Sequence, residues 1–216
     1  MKYLLLFFIA LSALATSTSA VVLGTYDFTG GESSVPSTAG MTFGAFGRQN
    51  VSAATVSGEF SSSAWTITPS IDTAQYVQFT LTPASGTLTF SSLSFLIDSH
   101  KANGNGNDGG PNTVEIRLFS SGDLNTALAS QSWAGVQDSR QTLTFDPADQ
   151  TTATSFTIRL YGYEAENAAG ALSFDNVAVN GSLSAVPEPV NVALLAFGLG
   201  LAGIWTGRRW FRRARG

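Results

Sequence analysis

Four aromatic side chains have the chemistry to contact a carbohydrate. A flat apolar ring with a polar edge suits the apolar face and hydroxyl rim of a sugar, and the candidates are Trp65, Trp133, Tyr161 and Tyr163. Because Tyr161 and Tyr163 are two residues apart, both would lie on one face of a strand. Packing in the core is the alternative for all four, and it is the interpretation we favour for the two tryptophans.

Catalytic chemistry has few candidates. His100 is the single histidine and cysteine is absent, which excludes a thiol nucleophile, a multi-histidine or cysteine zinc site and a lipidated N-terminal cysteine. No Gly-x-Ser-x-Gly segment offers a serine at a strained turn. Carboxylates for a glycosidase pair exist outside any recognisable catalytic context: Glu115, Asp138, Asp146, Glu164 and Glu166. We therefore expect no enzyme, and a glycan-active hydrolase is the remote alternative.

The loop over residues 98–112 is rich in alternating Asn and Gly. These residues suit left-handed backbone conformations and tight turns, and their amide and carboxylate oxygens could collect a cation. The order of residues does not match an EF-hand loop, since the terminal Glu is absent. A solvated connection is the default interpretation, and ligand contact at one end of the domain is the functional one.

Short strands must position these residues. Apolar and polar side chains alternate over residues 76–81, 114–118 and 156–160, which predicts half-buried strands with Arg117 and Arg159 pointing outward. Weak helical candidates occur only at 124–131 and 163–171, and we interpret the second as a loop because its Gly, Ala and Asn content gives no apolar face. Further strands are expected near 21–28, 41–47, 51–60, 63–68, 87–97, 141–146 and 171–182. The pattern predicts an all-β fold, an antiparallel β-sandwich with a jelly roll as the leading topology and a barrel as the less favoured one.

Two of these strands change phase internally. Leu88 and Phe90 are out of step with Leu93 and the apolar residues after it, and residues 172 and 174 are out of step with 177 and 179. Each change implies one extra residue, so we predict β-bulges around Ser91-Ser92 and around Asp175-Asn176.

The two ends of the chain differ from the region between them. Residues 1–20 have a positive start, an apolar stretch and small residues before the end, as a secretory signal peptide does. Residues 21–183 are predicted to form one domain. Most of the acidic side chains lie in this domain, and the whole chain has a net charge of −4, which makes nucleic acid an unsuitable partner.

The last segment, residues 184–216, combines three features. The box Val186, Pro187, Glu188 and Pro189 precedes an apolar stretch at 190–207, which as a helix would span about 27 Å of a hydrocarbon core that is roughly 30 Å thick. A basic stop follows it, formed by Arg208, Arg209, Arg212, Arg213 and Arg215. Positive residues stay on the cytoplasmic side, so the domain before the predicted transmembrane helix would lie outside.

This combination resembles the PEP-CTERM sorting signal of Gram-negative-type bacteria. The resemblance implies recognition of Pro187, Glu188 and Pro189 by an exosortase, a membrane enzyme that processes such tails, in cells that produce exopolysaccharide and biofilm. It implies a protein that is exported, anchored at the cell envelope and then placed on the cell surface or in the extracellular matrix. An ordinary C-terminal anchor with an extended proline linker is the alternative.

The middle of the chain resembles the ectodomain that commonly accompanies these tails. The resemblance rests on segments at 94–95, 116–119 and 159–163 and on Phe174-Asp175-Asn176-Val177, which is also similar to the last strand of galactose-binding-like and carbohydrate-binding jelly rolls. It implies a structural calcium site that includes Asp27 and Asp175. The alternative is that Asp175 and Asn176 satisfy backbone donors at a turn.

Taken together, the sequence predicts a non-catalytic envelope or matrix protein that associates with exopolysaccharide or another surface glycan. The alternative is a glycosylated matrix scaffold without a specific ligand.

Overall fold

The computed structural model describes residues 20–32, 35–101, 109–137 and 140–184. The expected signal peptide up to residue 19, the centre of the Asn/Gly loop and the sorting segment from residue 185 lie outside these residues. The described regular structure consists of strands alone: β1 Val21–Tyr26, β2 Met41–Phe43, β3 Gly47–Gln49, β4 Ser52–Ala53, β5 Phe60–Ser63, β6 Tyr76–Pro83, β7 Thr87–Lys101, β8 Pro111–Ser120, β9 Ala129–Ala134, β10 Arg140–Phe145, β11 Gln150–Thr152, β12 Phe156–Ala165 and β13 Gly170–Ser184. Within the described ranges no helix has the length and apolarity needed to cross a membrane.

One sheet, called sheet I here, is built on the two longest strands. β7 and β13 pair antiparallel along their whole length. The free edge of β13 pairs with β1 and β5 in succession, and that of β7 with β10 and β11. β4 extends the sheet beyond β5.

The second sheet, sheet II, has the strand order β2-β6-β12-β8-β9, with β3 also paired to β6. Its central strands β6, β12 and β8 are antiparallel neighbours. Apolar residues of both sheets meet between them in one core. The predicted all-β antiparallel sandwich is therefore confirmed, and the alternation in β6, β8 and β12 gives each of these strands one core face and one outer face.

Both predicted bulges are present, and they lie on the same pair of strands. Asn180 pairs with Ser92 and Gly181 with Phe90, so Ser91 is the extra residue of β7. The other register shift lies between Asp175 and Ala178 of β13, where Asn176 has a positive φ of 48°. The bulges keep apolar side chains buried on both sides of each phase change.

Two strand predictions and one weak helical candidate differ from the structure. Residues 64–68 form no strand, and most of 51–60 is irregular apart from β4. No helix forms at 124–131, where the chain instead enters β9. The tip of the connection between β12 and β13 is a turn, as the loop interpretation of residues 163–171 expected. Trp133 is the single large apolar residue of β9 and β11 has none, so alternation of apolar residues gave no signal for these strands.

Candidate functional site

The outer face of sheet II carries a row of long polar side chains across its central strands. Arg159 of β12 is the cross-strand partner of Gln78 on β6 and of Arg117 on β8. Arg117 in turn pairs with Ser130 on β9. Two guanidinium groups therefore lie side by side in the middle of this face.

Arg159 is held by neutral groups. Its Nε donates to Gln78 Oε1 at 3.2 Å and its Nη1 to the Leu124 carbonyl at 3.2 Å. The guanidinium carbon lies 4.3 Å from the ring centre of Tyr76 and 4.9 Å from that of Phe119. Aromatic faces attract a cation without neutralising it. Within the described part of the chain Arg159 forms no ion pair with a carboxylate, so its positive charge is available to a ligand.

Arg117 is held by one carboxylate and one ring. Its Nε donates to Glu115 Oε1 at 2.6 Å, and its guanidinium carbon lies 5.1 Å from the ring centre of Tyr161. Tyr161 also contacts Tyr76 edge to face, with ring centroids 5.7 Å apart. The tyrosine rings therefore support the two arginines from below.

A shallow cavity of about 190 Å³ lies above these groups. We call it the arginine cavity, and it is lined by Thr73, Arg117, Phe119, Leu124, Asn125, Arg159 and Tyr161. The connection between β8 and β9 forms one wall of it. Asp123 shapes that wall, because its Oδ1 accepts the backbone N–H groups of Asn125 at 2.8 Å and Thr126 at 3.2 Å. These hydrogen bonds lower the pKa of the Asp123 carboxyl.

The phenol groups of Tyr161, which lines the cavity, and of Tyr163, on the same face, are neutral. Burial raises the pKa of Tyr161 above its ordinary value, although Arg159 and Arg117 partly oppose the shift. Burial also raises the pKa of Tyr163, with help from the charges of Glu115 and Glu164. The charge of the cavity is therefore positive. Guanidinium groups can donate paired hydrogen bonds to a carboxylate and single ones to hydroxyl oxygens.

The four aromatic residues expected to contact a glycan divide between the core and the outer face of sheet II. Trp65 is only 2% exposed, with its Nε1 donating to the Ser62 carbonyl at 2.8 Å. Trp133 is half-buried and packs edge to face on Phe95, 5.8 Å away. These two rings belong to the core, which was the favoured interpretation.

The tyrosine pair shares the outer face of sheet II, as the spacing predicted. Tyr163 is half-buried, whereas Tyr161 is only 1% exposed. Tyr161 thus offers no free ring face to a sugar, because Arg117 and Tyr76 cover it. Its role in the cavity is to position Arg117.

The two expected calcium ligands make local hydrogen bonds. Asp27 Oδ1 accepts from the backbone and hydroxyl of Thr29, at 3.2 and 3.1 Å. Asp175 accepts from the backbone and amide of Asn176, at 2.7 and 2.8 Å. These are the turn contacts named as the alternative, and calcium at this pair of residues stays a prediction.

Three site residues were not among those predicted from the sequence: Arg117, Phe119 and Arg159. The signal was present in the outward alternation of both arginines, but their strands are about forty residues apart in the chain. Only the register of β8 against β12 shows that the two arginines are neighbours.

Comparisons with known proteins give no family assignment. No protein-family model matches the chain, and no curated protein matches it significantly. Solved structures to which this chain is similar include a family 4 carbohydrate-binding module, 19% identical with a TM-score of 0.41, covering 62% of this chain and 78% of that one.

Two others are variants of a family 29 carbohydrate-binding module. One, in complex with cellulohexaose, is 13% identical with a TM-score of 0.42 and covers 75% of this chain and 90% of that one. The other, in complex with mannohexaose, is 12% identical with a TM-score of 0.40, covering 76% and 93%. At these values no residue role or ligand is transferred to this chain.

Proposed function

We propose that this chain is a non-catalytic envelope or matrix protein that associates with extracellular polysaccharide through the arginine cavity. The observation that carries the proposal is the pair Arg117 and Arg159, adjacent on the outer face of sheet II and lining one cavity. Sugar hydroxyl groups and the carboxylates of acidic sugars are acceptors that match these donors.

The rings under the arginines support this use of the site. Tyr76 and Phe119 lie against Arg159, and Tyr161 lies against Arg117. A guanidinium that is already stacked loses little conformational freedom when it binds, which favours affinity. Half-buried Tyr163 extends the same face and would contact a neighbouring sugar residue.

A role without catalysis agrees with the surroundings of the single histidine. His100 Nε2 lies 2.6 Å from Ser173 Oγ, and Ser173 is fully buried. A substrate carbonyl has no route to that hydroxyl, so the pair is unsuited to act as nucleophile and base.

Sorting is a separate part of the proposal and rests on the sequence of the tail. We infer export by the signal peptide, anchoring by residues 190–207 and processing by an exosortase that reads Pro187, Glu188 and Pro189. Glu188→Ala should leave full-length protein in the inner membrane, as detected by immunoblot of membrane fractions. Normal processing of this variant would contradict the assignment.

The polysaccharide proposal is tested by retention of the purified full-length protein on the exopolysaccharide of the producing organism. We expect saturable retention that weakens as ionic strength rises, because salt screens exposed charges. Arg117→Gln should reduce retention about tenfold, the loss expected when one charge-assisted hydrogen bond of about 1.5 kcal/mol is removed.

The matched control is Arg140→Gln, a half-exposed arginine of sheet I that pairs with Glu59, and its urea unfolding midpoint is measured alongside to show that it stays folded. It removes the same charge from the other sheet and should retain the polysaccharide as the unaltered chain does. Equal losses in both variants would show that only net charge matters. Absence of retention, together with a mature mass well above the polypeptide mass, would favour the glycosylated scaffold.

A further inference from the structure

A second group of ionisable side chains lies on the outer face of sheet I. Asp98 and His100 alternate along β7, and Glu59 directly precedes β5. Ser173 of β13 is the cross-strand partner of Asp98 on one side and of Ser61 on the other. The central strand thus brings residues from distant parts of the chain onto one face.

The ligand atoms of Glu59, Asp98 and His100 all lie within 4.8 Å of one another. Among the described residues this is the single group of three or more His, Asp or Glu side chains that meets so closely. Glu59 is only 7% exposed and His100 only 6% exposed. Carboxylates are rarely buried to this extent unless a cation compensates them.

The two oxygens of Glu59 differ in their partners. Oε1 forms an ion pair with Arg140 Nη1, which lies 2.9 Å away. Oε2 is fully buried and has no hydrogen-bond partner within the described part of the chain. A buried anionic oxygen without a partner costs several times the net contribution of an ordinary hydrogen bond. The arrangement therefore has one strong acceptor directed at no donor.

A hydrogen bond at one ring nitrogen fixes the orientation of His100. A histidine that binds a metal through one ring nitrogen typically engages the other in a hydrogen bond that fixes the ring. His100 Nε2 lies 2.6 Å from Ser173 Oγ, which donates to Ser61 Oγ at 2.9 Å. Three adjacent strands thus fix the orientation of one imidazole.

We propose that Glu59, Asp98 and His100 bind a divalent transition-metal ion, with Zn²⁺ as the representative case. One imidazole nitrogen with two carboxylates suits Zn²⁺ or Mn²⁺, whereas Ca²⁺ takes oxygen ligands alone. Arg140 lies at the rim, about half exposed, and also approaches Asp175 at 3.7 Å. Arg140 supplies one positive charge next to the two ligand carboxylates, Glu59 and Asp98. One negative charge remains, so a dication is still attracted to the site.

The ion would join two strands that do not pair with each other. Glu59 adjoins β5, and the other two ligands lie on β7, with β13 between them. A ligand that binds only the folded state stabilises it. In a chain without cysteine, the bound ion would crosslink the strands of sheet I, as a disulfide crosslinks other proteins. This role is independent of the arginine cavity on sheet II.

Titration of the purified full-length protein with ZnCl₂, followed by calorimetry and thermal unfolding, tests the site. We expect one ion per chain and a rise in the unfolding midpoint of roughly 5–10 °C at about a hundredfold excess over the dissociation constant. Glu59→Gln and Asp98→Asn should each weaken Zn²⁺ binding by at least about tenfold, the loss that even an outer-shell partner of a metal typically causes.

Asp175→Asn is the matched control. It removes one negative charge from the same face, next to Arg140 but outside the three ligands, and should change affinity by only about twofold to fivefold. No saturable binding of Zn²⁺ or Mn²⁺ overturns the proposal. An affinity that Glu59→Gln and Asp98→Asn leave unchanged does so equally.

A measurement without any substitution guards against variants that do not fold. Because His100 is the single histidine, the ¹⁵N signals of its ring are unambiguous in a protein purified without a histidine tag. Zn²⁺ should shift one ring nitrogen far more than the other, as direct ligation requires. Ring signals that stay constant through a saturating titration would overturn the assignment.

Discussion

Arg117 on β8 and Arg159 on β12 are direct cross-strand partners on the outer face of sheet II. Like charges at opposed positions destabilise a sheet. Glu115 compensates Arg117, whereas Arg159 is held by an amide, a carbonyl and two rings. Repulsion between the two arginines therefore destabilises sheet II at the arginine cavity. Proteins often tolerate such a cost at functional sites.

Arg159→Met should separate binding from stability. Methionine keeps an apolar stem over the rings and removes the charge. We expect the free energy of unfolding to change by less than about 1 kcal/mol, because lost cation–π contacts are offset by relief of the repulsion from Arg117. Polysaccharide retention should fall about tenfold, as one charge-assisted contact is lost.

Urea unfolding and retention assays on the same preparations check this prediction. Arg159→Lys is the control, because it keeps the positive charge but loses the planar fork, and it should keep part of the retention. A loss of more than about 3 kcal/mol in Arg159→Met, far beyond ordinary surface changes, would assign this arginine a structural role only.

Gly162 of β12 has no room for a larger side chain on the core side of sheet II. A Cβ at Gly162 would lie 2.7 Å from Pro111 Cγ and 3.1 Å from Trp65 Cδ2. Gly162→Ala should therefore lower the free energy of unfolding by about 1–3 kcal/mol through overpacking. Gly122→Ala, with no atom within 4 Å of the added carbon, is the matched control. Similar urea midpoints for both variants would show that Trp65 and Pro111 can move aside.

Strand positions and phase changes could be predicted from this sequence, but sites could not. Alternation located β6, β8 and β12, and two breaks in it located the bulges of β7 and β13. β9, with Gln131 and Ser132 at its centre, carries no such alternation, so its packing and pairing depend on β8. Glu59 and Asp98 are far apart in the chain, and only the order β7-β13-β5 makes them neighbours. Local patterns specify faces, whereas register between strands specifies which side chains meet.

Acid should loosen the wall of the arginine cavity. The lowered pKa of Asp123 means that its ionised form is favoured in the folded state. Its stabilising effect is therefore present above the unfolded value of about 3.9 and is lost as the pH falls through the lower folded value. We expect the amide protons of Asn125 and Thr126, bonded to Asp123 Oδ1, to lose exchange protection over that interval.

Amide exchange measured by NMR between pH 6 and the acid limit of folding provides the check. Asp123→Ala should abolish the protection of both amides at every pH. Asp149→Ala, at an exposed position between β10 and β11, should leave it unchanged. Protection that persists in Asp123→Ala would mean that the wall is held by its other contacts.

Alkali should act through Tyr26, the buried phenol of the aromatic core. Its hydroxyl donates to the Gly44 carbonyl at 2.8 Å, and burial raises its pKa far above the ordinary value. The folded state therefore keeps the neutral phenol, while the unfolded chain ionises near pH 10. The contribution of this group is complete below about pH 10 and is lost as the pH rises beyond it.

Tyr26→Phe should lower the free energy of unfolding by about 1 kcal/mol at pH 7, because the hydrogen bond is lost. Because phenylalanine does not ionise, urea unfolding of the two proteins should converge at pH 11, and a constant difference between pH 7 and pH 11 would contradict this role.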